Sequence, residues 1–253
     1  MNFLRISGFI SFILLTHCIF SQANAKKDTA EAIPFIRFQY TYLLPGVDFE
    51  ESFGNTSAVG GAFGYKNASN WLFEIEGNFL FGADVKRKNL LNDIINEQGD
   101  VTGSQGELIK LTYDIRGLSF FANAGKVFPL SQKNKNSGIL TQAGIGFLQH
   151  KIFIDYRDGK VFQLEEDNLK GYDRLHRGVA FKQFIGYQYF GSKNLINFYV
   201  GIELQQGFTK NVREYNYDTR QFDTETKLDL LYGLRFGWSF TIRDRETEDF
   251  YYY

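Results

Sequence analysis

His150 and His176 are the two histidines that remain once the first 25 residues are set aside. An imidazole activates a nucleophile when a hydroxyl or thiol lies on one side of it and a carboxylate on the other. His150 stands in "FLQHKIFID" with Asp155 close behind, and no serine in a recognisable motif accompanies it. A lipid hydrolase or acyltransferase would need such a triad. Triads are a matter of geometry and not of sequence order, so this activity stays as the third of three readings. His176, in "YDRLHRG", reads as a residue at a loop base, held by hydrogen bonds. Metal chemistry finds less support. The single cysteine is Cys18, near the start, so the rest of the chain brings neither thiolate nor disulfide. "DTRQFDTETKLD" has the composition of a calcium loop, but its spacing and glycine placement do not fit an EF-hand. "GGAFG" falls inside a strand pattern and not in a phosphate-cradling loop. No cofactor and no metal are expected.

The charges are more informative. Net charge is −1, which gives no reason to expect a nucleic acid partner. Several charged residues recur at alternate positions between large apolar ones. "FIRFQYTYLL" sets Ile36, Phe38, Tyr40, Tyr42 and Leu44 against Arg37, Gln39 and Thr41. "WLFEIEGNFLF" sets Trp71, Phe73, Ile75, Phe79 and Phe81 against Glu74, Glu76 and Asn78. "LINFYVGIELQ" and "LDLLYGLRFGWSFTI" repeat the pattern, with Glu203, Asp229 and Arg235 on the polar side. Side chains alternate faces along a strand, so each segment carries one apolar and one polar face.

The elements that position these residues are strands, expected near 34–45, 56–66, 70–82, 107–128, 138–155, 177–190, 195–209 and 227–243. The last is longer than a typical soluble strand. The connections alternate: "KNASN", "PLSQKNKNSG" and "GSKN" are short, whereas residues 83–106, 156–176 and 210–226 are long and 46–55 is intermediate. The fourth strand is irregular. Its apolar residues change parity between Ile115 and Leu118, which suggests a bulge at Arg116-Gly117. A hairpin there would instead give nine strands. Gln183 interrupts the apolar side of the sixth strand.

The N-terminus reads as a secretory signal peptide over residues 1–25: Arg5, an apolar run from Ile6 to Phe20, then Ala23 and Ala25. Cleavage is expected after Ala25, with Gln22 as the other option. A lipoprotein would acylate Cys18, but His17 before it is large and polar where a small residue is wanted. The chain carries 27 Phe and 15 Tyr with three Pro. An exported, aromatic-rich chain with no apolar run of membrane-helix length leaves a periplasmic β protein or a barrel in the outer membrane. The strand count, the loop rule and the aromatic strand ends favour an all-β transmembrane antiparallel up-and-down barrel of eight strands over residues 26–243. A tail, residues 244–253, would follow on the periplasmic side. Arg235, Gly237, Phe240 and Ile242 resemble the C-terminal insertion signal of such barrels, displaced from the chain end, and imply the barrel-assembly machinery as a partner.

The pattern resembles small outer-membrane barrels of the OmpA/OmpX type. "GFLQHKI", "KGYDRL", "QFIGY" and "NFYVGIELQQGFT", with the tyrosine-rich end, are similar to outer-membrane proteins of Bacteroidota type. That resemblance implies an accessory subunit of a machine for secretion, nutrient uptake or barrel assembly, localised to the cell outer membrane after removal of its signal peptide.

In such a barrel the polar faces point to a narrow lumen. The inward set is expected to be Arg37, Lys110, Arg116, Lys182 and Arg235 against Glu74, Glu76, Asp114, Glu203 and Asp229. Buried charges must be paired, so a cross-barrel network closing the lumen is favoured over an ion pathway. Contact with outer-membrane or periplasmic protein partners is expected at Tyr172, Asp173 and Arg174 and at the tail residues Phe250, Tyr251, Tyr252 and Tyr253; lipid would bathe the apolar faces. The expected role is structural or accessory, not enzymatic, with solute or lipid transport as the second reading and the lipid-modifying enzyme as the third.

Overall fold

The computed structural model describes residues 30–87, 90–156, 159–164, 166–191 and 197–242. The expected signal peptide and tail, with Phe250 to Tyr253, lie outside the described residues. Eight long strands form the wall: β1 (Ile33–Val47), β2 (Thr56–Lys66), β3 (Trp71–Gly82), β4 (Leu108–Pro129), β5 (Gly138–Tyr156), β6 (His176–Phe190), β7 (Asn197–Asn211) and β8 (Thr226–Thr241). Each pairs antiparallel with its neighbours in sequence, and β8 pairs with β1, Thr241 opposite Phe35. The sheet therefore has no open edge. No helix among the described residues is long and apolar enough to cross a membrane.

The registers fix the shape. Following hydrogen-bonded partners from Leu118 through β3, β2, β1, β8, β7, β6 and β5 returns to β4 at Phe128, ten residues along. A shear of ten on eight strands gives a tilt of roughly 40° and a bore just wide enough for side chains to fill.

One rim carries the short connections. In the first, Asn67 Oδ1 accepts hydrogen bonds from the Ser69 and Trp71 N–H groups, each 2.9 Å, and Asn70 takes φ 64°. Asparagine suits such a turn because its side chain mimics a backbone acceptor and it tolerates the left-handed region. The other rim carries the long loops, which are folded over the mouth. Helix α1 (Asp48–Ser52) lays Phe49 inward, a short strand at Asp100–Thr102 extends the sheet beside β4, and Tyr215–Asn216 pairs with Gln221–Phe222.

The interior is layered. An apolar layer of Ile33, Phe35, Leu72, Val127, Leu140 and Phe190 closes the turn rim. Polar side chains fill the middle. A larger apolar cluster under the loops joins Phe49, Phe53, Val85, Leu90, Leu91 and Val101 to the inward faces of Ile109, Leu111, Ile115, Ile152 and Ile154.

Two expectations for β4 are corrected. Its ladder with β5 runs unbroken from Leu111 opposite Tyr156 to Pro129 opposite Gly138, and its ladder with β3 is continuous through Gly117 opposite Leu80. There is neither a bulge nor a hairpin at Arg116-Gly117. The parity of the strand never changes; what changes is which side is apolar. Near the turn rim Leu118 and Phe120 point outward, and near the loop rim Ile109, Leu111 and Ile115 point into the core.

Candidate functional site

The middle of the lumen is the most chemically dense part of the molecule. Arg37 enters from β1 and meets Glu74 of β3 at 2.8 Å. Its guanidinium also donates to Ser239 Oγ at 3.1 Å and to Gln188, and lies between the Phe35 and Tyr199 rings at 4.4 and 4.3 Å. A level away, Glu76 of β3 pairs with Lys182 of β6 and, at 2.8 Å, with Arg235 of β8. Arg235 also reaches Glu203 of β7 at 2.6 Å. Three cations thus face three carboxylates, drawn from five strands. Neutral groups link them: Gln39 Nε2 donates to Asn78 at 2.7 Å, the Tyr199 hydroxyl donates to Gln39, and Gln142 and Asn123 donate to Glu74 at 3.0 and 3.4 Å. All six charged side chains are buried. Each has the partner that an ionised group needs in a site closed to solvent.

Of the ten expected lumen charges, Arg37, Glu74, Glu76, Lys182, Glu203 and Arg235 meet in this network. Asp229 also points inward, but in a second cluster nearer the loop rim. Lys110, Asp114 and Arg116 are corrections: they lie on the outer surface, where Asp114 and Arg116 stand 3.8 Å apart. Their apolar neighbours take the inside because the barrel above that level has a core under its loops, as a soluble protein has. Arg235 and Gly237 of the resembled insertion signal face inward, and Phe240 and Ile242 face outward. Gly237 leaves room for the Tyr199 ring, since a Cβ there would come within 2.5 Å of it. The sequence reading passed over Tyr199, Gln188, Gln142 and Asn123. Inward parity on their strands was the signal that could have found them.

The second cluster centres on His150. Its Nε2 lies 2.7 Å from Asp229 Oδ2, and Thr209 Oγ1 donates to the same oxygen at 2.6 Å. Asp155, the sequence neighbour, is not the partner. His176 stacks on His150 at 5.4 Å and 6°, and its Nδ1 is 2.8 Å from the Arg174 carbonyl. The edges of Phe49 and Phe53 flank His150. Burial, then the neighbouring His150, pushes the His176 imidazole down to about 4. Among the described residues no hydroxyl or thiol bonds to either imidazole, and no group of three potential metal ligands occurs.

At the mouth, Tyr172 lines a cleft of about 360 Å³ with Leu90, Leu91, Asp93 and Asp218. Asp173 and Arg174, expected as contact residues, are buried. Arg213 donates to Asp173 at 3.1 and 2.7 Å, and Arg174 Nη2 donates to Asp218 at 2.7 Å. Both tie the loop before β6 to the loop after β7 and leave Tyr172 as the one of the three facing the cleft.

The outer wall is the reverse of a soluble surface. Ile75 is 70% exposed, Ile202 63% and Phe38 62%, and they belong to a continuous band of outward apolar side chains on every strand. The band covers nine residues on β1, Ile36 to Leu44, and eleven on β8, Tyr232 to Ile242. At ~3.3 Å per residue and this tilt it is about 25 Å tall.

No protein-family model matches the chain, and no curated protein matches it. Among solved structures, the chain is similar to the attachment invasion locus protein Ail of Yersinia pestis in complex with the heparin analogue sucrose octasulfate: TM-score 0.41, 11% identity, 83% of this chain and 100% of that one. The outer membrane protein OprG from Pseudomonas aeruginosa aligns with TM-score 0.39 and 15% identity over 83% of this chain and 97% of its own. The N-terminal β-barrel domain of Pseudomonas aeruginosa OprF aligns with TM-score 0.37 and 11% identity over 83% and 100%. The closed eight-stranded antiparallel barrel itself is defined by the chain's own ladders.

Proposed function

We propose that this chain is a barrel of the outer membrane with a closed lumen, acting as a structural or accessory subunit that presents its folded loops, and its tail, to protein partners. The apolar band supports embedding in lipid: its height equals that of the lipid-facing band of membrane barrels, and a soluble surface of this kind would associate. The short connections then face the periplasm and the long loops the outside. The observation that carries the functional reading is the plugged lumen. A balanced ion network between two apolar layers leaves no aqueous path, which speaks against solute transport. Among the described residues no hydroxyl or thiol bonds to the His150 imidazole, and the Thr209 hydroxyl donates to Asp229 instead, which speaks against lipid modification.

The test is twofold. Protein reconstituted in planar bilayers should give no steady conductance; stable nanosiemens channels would overturn the closed-lumen reading. Mild-detergent purification of the full chain, and of one ending at Glu248, should recover stoichiometric outer-membrane or periplasmic partners with the full chain. A lone monomer in both cases would sink the accessory role.

A further inference from the structure

Arg116, misplaced by the sequence reading, belongs to a group of outward cations. Arg116 on β4 stands directly opposite Lys151 on β5, and Arg177 on β6 directly opposite Lys210 on β7. Gln149, two residues before Lys151, is opposite Arg177. The four thus sit side by side on consecutive strands, spanning roughly 15 Å at the spacing of a sheet. Like charges facing each other across a ladder repel, and two such pairs occur here together. The nearby acids offset them only in part. Asp114 is 3.8 Å from Arg116; Asp173 is 3.9 Å from Lys151 but is already held by Arg213. Among the described residues no carboxylate lies within ion-pair distance of Arg177 or Lys210. The opposite side of the same rim has its charges matched, with Glu50 on Lys86 and Glu51 on Arg87.

The place of the four is as telling as their charge. On the same outward faces the next residues toward the turn rim are Leu118, Phe147 (after Gln149), Val179 and Phe208, all exposed and apolar. The cations therefore mark the upper edge of the apolar band. Arg116 lies over the Phe153 ring at 4.9 Å, which holds its guanidinium against the wall. Further down the same strands, Ala122, Ala143 and Gly144 floor a shallow groove of about 710 Å³ on the outer wall, flanked by Ile145 and Phe181.

We propose that Arg116, Lys151, Arg177 and Lys210 form a binding site for the phosphate-bearing headgroup of a lipid of the surrounding leaflet, with its acyl chains along the wall below. Guanidinium and ammonium donors suit phosphate oxygens. An anion shared among the four removes the repulsion that the bare ladder carries. A soluble anion would satisfy the charges, but only an amphiphile also uses the apolar surface that begins one residue pair below.

The inference rests on the chain being lipid-embedded, and its test separates the two. Full-length protein in a zwitterionic detergent is titrated, under native mass spectrometry, with a phosphorylated disaccharide lipid, with the dephosphorylated lipid of identical chains, and with inorganic pyrophosphate. The phosphorylated lipid should bind more tightly than its dephosphorylated form by on the order of a hundredfold, given the attraction of each basic residue to an anionic surface. Pyrophosphate should not compete. The variant R116Q/K151Q/R177Q/K210Q should lose the preference and keep its thermal midpoint, since it removes exposed like charges. Equal binding of both lipids, a preference that survives in the variant, or displacement by pyrophosphate would each overturn the proposal. Protein that stays monodisperse in buffer without detergent would instead sink the membrane reading beneath it.

Discussion

Glu76 is the side chain on which the lumen turns. It holds two cations at once, Lys182 and Arg235. Glu76→Gln takes the paired carboxylate from buried Lys182 and leaves Arg235 with Glu203 alone, and breaking a buried pair in this way costs about 3–5 kcal/mol. Urea titration in micelles should show that loss. Adding Lys182→Met should restore part of it, because the surplus cation is then gone. His176 sets a pH dependence under the loops. It begins β6 above the apolar band, faced by His150, Asp223, Lys227 and Asp229. Its folded pKa, about 4, is below the unfolded value of 6.5. The unfolded chain therefore binds more protons between those values, and stability is intact above pH 6.5 and falls as pH drops toward 4. The loss amounts to roughly 2–3 kcal/mol. The protection factors of loop amides against hydrogen exchange should fall in that window, and His176→Gln should flatten the profile. Asp223 acts in the same sense at lower pH: burial alone would raise it, but Lys227, Asn216 and His176 hold it below the usual carboxylate range, so its contribution is lost only in stronger acid. At this scale the sequence revealed which residues were inward wherever their neighbours were apolar and outward. It could not pair His150 with Asp229, 79 residues away, because contacts across a barrel depend on shear.

Alternation was legible on β1, β3, β7 and β8, where Phe38, Ile75, Ile202 and Phe236 stand outward as their parity requires. It misled on β4. That strand runs from a membrane-like zone into a soluble-like one, and an apolar residue takes the outside in the first and the inside in the second. A change of medium looks, in sequence, like a slip of register. The strand shows its true phase only through its ladders with β3 and β5. The two zones can be told apart by substitution. Ile202→Arg, in the middle of the band, should cost about 2–4 kcal/mol in lipid vesicles. Phe162→Arg, equally exposed but in the loops, should stay within about 0.5 kcal/mol. Denaturant midpoints in lipid vesicles decide it, and equal costs would mean that the band does not face hydrocarbon.

On the scale of the whole molecule, the eight strands were legible because turn residues and loop lengths punctuate the chain. Closure followed from the even strand count and the alternating loop lengths and not from any local trace of the β1–β8 pairing, which joins strands nearly the full chain apart. That pairing makes the wall a ring in the topological sense. Residues 33 and 241 arrive at the same rim on neighbouring strands, so no strand is first in any structural sense. A chain rewired by a short linker between those positions, and cut instead in the turn at Asn67–Asn70, would carry the same ladders in a new order. Only the sequence of strand delivery to the membrane would differ, so such a permutant separates what the wall needs for stability from what its assembly needs in time.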